Sequence, residues 1–200
     1  MFKEINISNF TIRQEALKNK INEDSLWLCS FIEQGPNQKK IVELGSGSGL
    51  ISIFIEKNLQ VEEIVSVEIE DIAFDVLKEN IKINNCVKIR PYKINIKNLK
   101  NFFNPALFDL IITNPPYFKI GHGRKPLNKE RLLARHEVMC DMKDIFNVSS
   151  HLLRKLGSLL ICYPQTREEE VITNAKRNKF KLIEKKSNNK INFYRLIKDQ

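Results

Sequence analysis

No apolar run in this chain approaches the roughly 18 residues that a membrane-spanning helix needs, so no transmembrane helix is expected. The opening MFKEINISNF carries charges and has no apolar stretch behind it, so no secretory leader is expected either. Cysteine is scarce: Cys29, Cys86, Cys140 and Cys162 are scattered with no CxxC pair. That spacing argues against a zinc site and a disulfide framework, and it fits reduced thiols in a cytoplasmic protein. No internal repeat and no linker interrupts the sequence. Its 200 residues suffice for one well-buried domain and are short for two. The expectation is a single domain, residues 1–200, with residues 1–23 as an N-terminal arm.

What the chain has in surplus is positive charge. Thirty-three basic against 24 acidic side chains leave a net charge of +9 and a pI near 9.4, a balance that favours a polyanionic partner. The hydrophobic fraction of 42% and the charged fraction of 28% are those of an ordinary globular protein. Residues 9–20 are basic and can form a helix, and the N-terminal segment reads as either an arm that touches substrate or a loosely ordered tail. DSLWLCSFIEQ reads as a helix capped by Asp24 or Ser25 and ended by Gly35-Pro36, with Trp27 as a core anchor. Strands are expected at 41–44, 64–69, 87–96, 110–112 and 158–163, and Pro91 marks the third as irregular or as an edge. Helices are expected at 50–57, after a cap at Asp71, at 142–155 before a stop at Gly157, and at 167–178. A hairpin of strands 180–185 and 192–197 closes the chain. Alternating strands and helices ending in a hairpin argue a doubly wound, Rossmann-like α/β sheet, mostly parallel with one antiparallel strand.

Three stretches carry chemistry. The first is Glu43-Leu44-Gly45-Ser46-Gly47-Ser48-Gly49, a strand end, a loop only small residues can form, and a helix start. This layout brings a ligand close to backbone N–H groups. The spacing is not G-x-G-x-x-G, and the Glu43 carboxylate suits an amine-bearing ligand better than a phosphate. The second is Glu68, followed by Ile69, at the end of the next strand. An acidic residue about 20 positions beyond the loop accepts the two hydroxyls of a ribose. The third is Asn114-Pro115-Pro116-Tyr117, directly after the apolar Leu110-Ile111-Ile112. Two prolines remove two backbone donors, so the strand must stop there in a stiff corner rich in carbonyl oxygens. An amide before the corner and a ring after it suit a planar amine. Beyond it, residues 121–129 form a basic loop with His122, Arg124, Lys125 and Lys129, followed by Arg131, Arg135 and His136.

ELGSGSG, VEIE and NPPY, in this order at the ends of strands one, two and four, resemble the class I S-adenosylmethionine-dependent methyltransferases over about residues 24–165. The resemblance implies a seven-stranded sheet of order 3-2-1-4-5-7-6 with helices on both faces and the cofactor across the C-terminal edges of strands one to four. It implies Glu43 and residues 45–49 near the methionine part, Glu68 with Ile69 on the ribose, and Asn95 and Ile96 near the adenine, with Asn114 bordering both cofactor and acceptor. NPPY implies an acceptor nitrogen conjugated to a ring or carbonyl. Asn114 and Pro115 would accept its N–H bonds, Pro116 would stiffen the corner, and Tyr117 would stack on the base.

Among NPPY enzymes, Asp24-Ser25-Leu26-Trp27-Leu28, Pro115-Pro116-Tyr117-Phe118 and Ala134-Arg135-His136-Glu137 resemble segments of the bacterial tRNA1(Val) (adenine(37)-N6)-methyltransferase family. Trp27 stands where that family has a small or aliphatic residue. The resemblance implies a tRNA adenine-N6 methyltransferase that needs S-adenosylmethionine; a monomer with no metal is the separate expectation. Its partner would be tRNA, at the anticodon stem-loop, contacted by Arg13, His122, Arg124, Lys125, Lys129, Arg131, Arg135 and His136. A protein glutamine-amide methyltransferase, or an enzyme acting on an exocyclic amine of rRNA or DNA, would use the same corner and stays open on sequence alone.

Overall fold

The computed structural model describes residues 2–15, 23–32, 38–116 and 140–199. Tyr117, the basic loop 121–129, Arg131, Arg135 and His136 lie outside the described residues. Among the described residues, no helix is long and apolar enough to cross a membrane.

The sheet grows from short apolar strands. β3 (Lys40–Leu44), β4 (Glu63–Glu68) and β6 (Phe108–Thr113) form its centre, and all six residues of β6 are buried. Continuous apolar runs of this length belong to parallel strands covered on both faces. β5 (Ile89–Lys93) is the edge, as Pro91 requires, because it pairs with β4 alone. β7 (Leu153–Pro164) is parallel to β6. β8 (Phe180–Asn188) and β9 (Ile191–Lys198) form the closing hairpin, and β9 runs antiparallel to both β7 and β8. The order β5-β4-β3-β6-β7-β9-β8 is 3-2-1-4-5-7-6 when the strands of this sheet are counted from β3, as expected.

The helices divide the core between two faces. α4 (Met142–Leu152) and α5 (Glu168–Arg177) cover one, where Ile145, Phe146, Val171 and Ala175 pack with Val42 and Ile111. α1 (Glu23–Phe31) and α2 (Leu50–Asn58) cover the other, where Leu28, Phe31 and Ile53 meet Ile41, Ile112 and Cys162. α3 (Asp71–Ile83) follows β4 and buries Ala73, Val76 and Leu77.

Several boundaries differ from expectation. The N-terminal segment is not helical at residues 10–15: β1 (Phe2–Ile7) and β2 (Phe10–Glu15) form an antiparallel hairpin. The outer edge of β2 is met by two asparagines one turn apart, Asn80 on α3 and Asn84 at its C-cap. Asn84 accepts from the Thr11 N–H at 2.9 Å and donates to the Thr11 carbonyl at 2.7 Å. Asn80 does the same with Arg13, at 2.8 Å each way. Side-chain amides thus stand in for a third strand, which answers the edge problem of a two-stranded ribbon.

Trp27 is not a core anchor. It is 43% exposed, while its neighbours Leu28 and Cys29 are buried. The cap of α3 is Glu70, whose carboxylate accepts from the Ala73 N–H at 3.2 Å; Asp71 is the first helical residue. α4 ends at Leu152, and Gly157 lies inside β7.

Candidate active site

Register places the chemistry. Leu44 pairs with Val67 on one side and with Thr113 on the other, so Gly45, Glu68 and Asn114 leave three adjacent parallel strands at one level. Neighbouring strands stand roughly 5 Å apart, which brings the three residues into one row at the C-terminal edge. Thr113 also pairs with Ile161, which adds Cys162 to the row beyond Asn114. The Thr113 hydroxyl donates to the Leu44 carbonyl at 2.9 Å and ties the acceptor strand to the loop strand.

The glycine loop is built from the backbone up. Gly45, Gly47 and Gly49 have φ of 72°, 53° and 84°, the left-handed region where a side chain is strained. A Cβ at Gly45 or Gly47 would meet no atom within 4 Å, so these two face open space. At Gly49 a Cβ would lie 2.5 Å from Leu77 Cδ1. Gly49→Ala is therefore expected to lower stability by about 1–3 kcal/mol, read as a shifted denaturation midpoint. The N–H groups of Gly45 and Ser46 both donate to the Val67 carbonyl at 2.9 Å. Behind the loop, Asn80 donates to the Ser48 carbonyl at 2.8 Å, joining it to α3 and the hairpin.

Glu68 closes one side of the loop. Its Oε2 accepts from the Gly47 N–H at 2.8 Å, and its Oε1 from Ile69 at 2.7 Å and Glu70 at 2.9 Å. Burial pushes its carboxyl up, and the three N–H bonds oppose that shift. A partly buried carboxylate is the acceptor a ribose diol requires, and the open space at Gly45 and Gly47 lets a ligand approach the backbone closely, so the residues present fit S-adenosylmethionine. Ile69 is partly buried at the β4 exit. Ile96 packs against the core, while the Asn95 side chain accepts from the Lys97 N–H at 2.9 Å and caps the short 3-10 turn Ile96–Asn101.

Glu43 lies beneath the loop. It is 2% exposed, and its Oε2 accepts from the Ser52 N–H at 2.9 Å and from the Ser52 hydroxyl. Ser52 in turn meets the Ser66 hydroxyl at 2.6 Å. Glu43 therefore stitches β3 to the first turn of α2. Burial pushes its carboxyl from 4.5 up to about 8. The folded protein then holds a proton that the unfolded chain releases above about pH 4.5. Stability is expected to fall as pH rises from there to about 8 and to level off beyond. Glu43→Gln should flatten that fall, measured as urea midpoints across the range.

Asn114 is held at both ends of its amide. Its Nδ2 donates to Ser25 Oγ at 2.9 Å, and its Oδ1 accepts from Cys162 Sγ at 3.2 Å. An amide oxygen has two lone pairs and can accept from more than one donor. Pro115 is buried and Pro116 partly so. Ser25, Ser52, Ser66, Cys162 and Asn80 were not singled out by sequence for these roles. The visible signal was a small polar residue inside an apolar run, as in LISIFIEK and IVSVE, or an asparagine on an apolar helix face.

A parallel sheet of this order, with a glycine loop and an Asn-Pro-Pro corner on neighbouring strand ends, defines a class I methyltransferase architecture. Residues 17–193 match the methyltransferase small domain family, and the chain belongs to it. A tRNA1(Val) (adenine(37)-N6)-methyltransferase of Trichodesmium erythraeum is 28% identical over 168 residues, 80% of this chain and 67% of the relative. Among solved structures, the ribosomal protein L11 methylase of Lactobacillus delbrueckii subsp. bulgaricus superposes with a TM-score of 0.67 at 18% identity, covering 90% of this chain and 81% of that one. TYW2 of M. jannaschii in complex with AdoMet superposes with a TM-score of 0.62 at 15% identity, covering 98% and 84%. Both structures share the fold.

Proposed function

We propose that this protein methylates the exocyclic N6 amine of adenine in tRNA, at position 37 beside the anticodon of tRNA1(Val), using S-adenosylmethionine. The observation that carries the reading is the row Glu68, Gly45, Asn114. A cofactor cradle and an amine-accepting corner leave adjacent strands at one level. Relatives bearing that activity in their names, one of them 28% identical over 80% of the chain, support the choice of acceptor.

S-adenosylmethionine, when bound, supplies an electrophilic methyl group on a sulfonium. Glu68 and the open backbone surface at Gly45 and Gly47 would hold it, and the chain's other residues prepare the acceptor. An adenine amine is a poor nucleophile because its lone pair is shared with the ring. Asn114 Oδ1 and the Pro115 carbonyl accept its two N–H bonds, which localises the lone pair and stabilises the positive charge that develops on nitrogen. Ser25 and Cys162 fix the amide plane, so the alignment is set before substrate arrives. Tyr117 stacks on the base once it has left its own stack.

The surplus of cations supplies the sequence-independent grip on RNA, through Arg13, His122, Arg124, Lys125, Lys129, Arg131, Arg135 and His136. Of these, Arg13 is the only one among the described residues. It bridges Glu4 at 3.2 Å and Glu79 at 3.0 Å, so its share of that grip is smaller than its charge suggested. The protein works on this reading as a cytoplasmic monomer on the anticodon stem-loop. Incubating unmodified bulk tRNA with protein and S-adenosylmethionine tests it. N6-methyladenosine is the expected product by nucleoside mass spectrometry, and its absence from a protein that binds the cofactor rejects the reading.

A further inference from the structure

Trp27 is the single tryptophan of the chain, and 43% of it is exposed, as is 41% of Leu26 beside it. Its ring is stacked on Phe193, with centroids 6.2 Å apart and planes inclined by 29°. Phe193 itself is buried at 1% exposure. The indole thus rests against a fixed ring and keeps 43% of its surface exposed.

Its position is tied to the acceptor corner by two routes. Two residues earlier on α1, Ser25 bonds the Asn114 amide at 2.9 Å. Through the sheet, Phe193 pairs with Cys162, whose sulfur lies 3.2 Å from Asn114 Oδ1. Phe193 and Cys162 belong to the core face that α1 covers, so Asn114's side chain and the Trp27 ring lie on the same face. Two strand spacings, roughly 10 Å, separate Asn114's strand from that of Phe193. Trp27 extends the site on the side of Asn114 away from Gly45 and Glu68.

We propose that the outward face of Trp27 is a stacking platform for a nucleobase that flanks the target adenine in a single-stranded RNA loop. The proposal rests on the tRNA-methylating reading and adds a second base subsite to it. An adenine drawn to Asn114 leaves its stack, and its neighbour loses a stacking partner. A rigid aromatic ring within two strands of the acceptor replaces that partner, and any base serves because every base has a π-face. An indole placed only to close the core would be covered by it, as Phe193 is.

The lone tryptophan provides the test without any variant, since all tryptophan emission comes from Trp27. The full-length protein is titrated with an anticodon stem-loop RNA bearing adenosine 37, and with the same RNA made abasic at each flanking nucleotide in turn. The expected result is quenching on RNA binding that is lost with one abasic RNA. Trp27→Ala should raise the KM for RNA about tenfold with kcat and cofactor affinity retained, and Trp27→Phe should restore most of the loss. RNA that is methylated while the emission stays unchanged overturns the platform and leaves the reading standing. Abasic-sensitive quenching without N6-methyladenosine supports the platform and overturns the reading.

Discussion

Replacing Asn114 with alanine is expected to lower methyl transfer by roughly a hundred- to a thousandfold while S-adenosylmethionine still binds. On the proposed mechanism the amide oxygen is the acceptor that makes the adenine amine nucleophilic, and its two neighbours Ser25 and Cys162 do not replace it in kind. Ser25 is a hydroxyl, and Cys162 is a thiol in contact with the same amide oxygen. The cofactor cradle is built from other strands: the loop follows β3, and Glu68 ends β4. The expected split is therefore a collapse of kcat with cofactor affinity retained, measured by single-turnover methylation beside calorimetric titration. Asn114→Ala that turned over at the wild-type rate would remove the amide from the mechanism.

Glu68→Ala is expected to give the opposite pattern. Its carboxylate holds Gly47, Ile69 and Glu70 by backbone N–H bonds and stands where a ribose diol would be accepted. Hydrogen bonds to a charged group contribute about 1.5–3 kcal/mol each. Losing one such contact to the cofactor should weaken its binding by about tenfold or more, with further loss from the slackened loop. RNA affinity is expected to stay unchanged, because the proposed grip on RNA comes from cationic side chains and this substitution removes none. Calorimetry with the cofactor alone, paired with an RNA binding assay, separates the two effects.

Most of the row at the strand ends was legible from sequence. Two consecutive prolines cannot sit in a central strand bonded on both sides, so Asn114-Pro115-Pro116 had to end β6. The glycines of residues 45–49 had to mark a turn between β3 and α2, and Glu68 had to close an apolar strand. These are local constraints that residue type alone imposes. The N-terminal hairpin was not legible, because what completes β2 is a pair of asparagine side chains from the end of α3 and its C-cap, 67 and 73 positions away in the chain. Trp27 misled for a related reason. An aromatic residue in an apolar run reads as core, yet α1 turns Leu28, Cys29 and Phe31 inward and leaves Leu26 and Trp27 out. The cap of α3 fell to Glu70 and not Asp71, because adjacent carboxylates compete for the same N–H groups and only backbone geometry selects between them. Ser52 and Ser66 were visible as hydroxyls in buried apolar runs, but their shared partner Glu43 becomes apparent only once β3, β4 and α2 are packed together.

The central claim is that the corner after β6 presents an adenine N6 amine of tRNA to S-adenosylmethionine. Its most direct test uses two unmodified tRNA1(Val) transcripts, one with adenosine at position 37 and one with guanosine there, each incubated with protein and methyl-labelled cofactor. The account predicts N6-methyladenosine in the first transcript and no label in the second. Equal labelling of both transcripts, or label appearing only in a glutamine amide of a protein substrate, would contradict it.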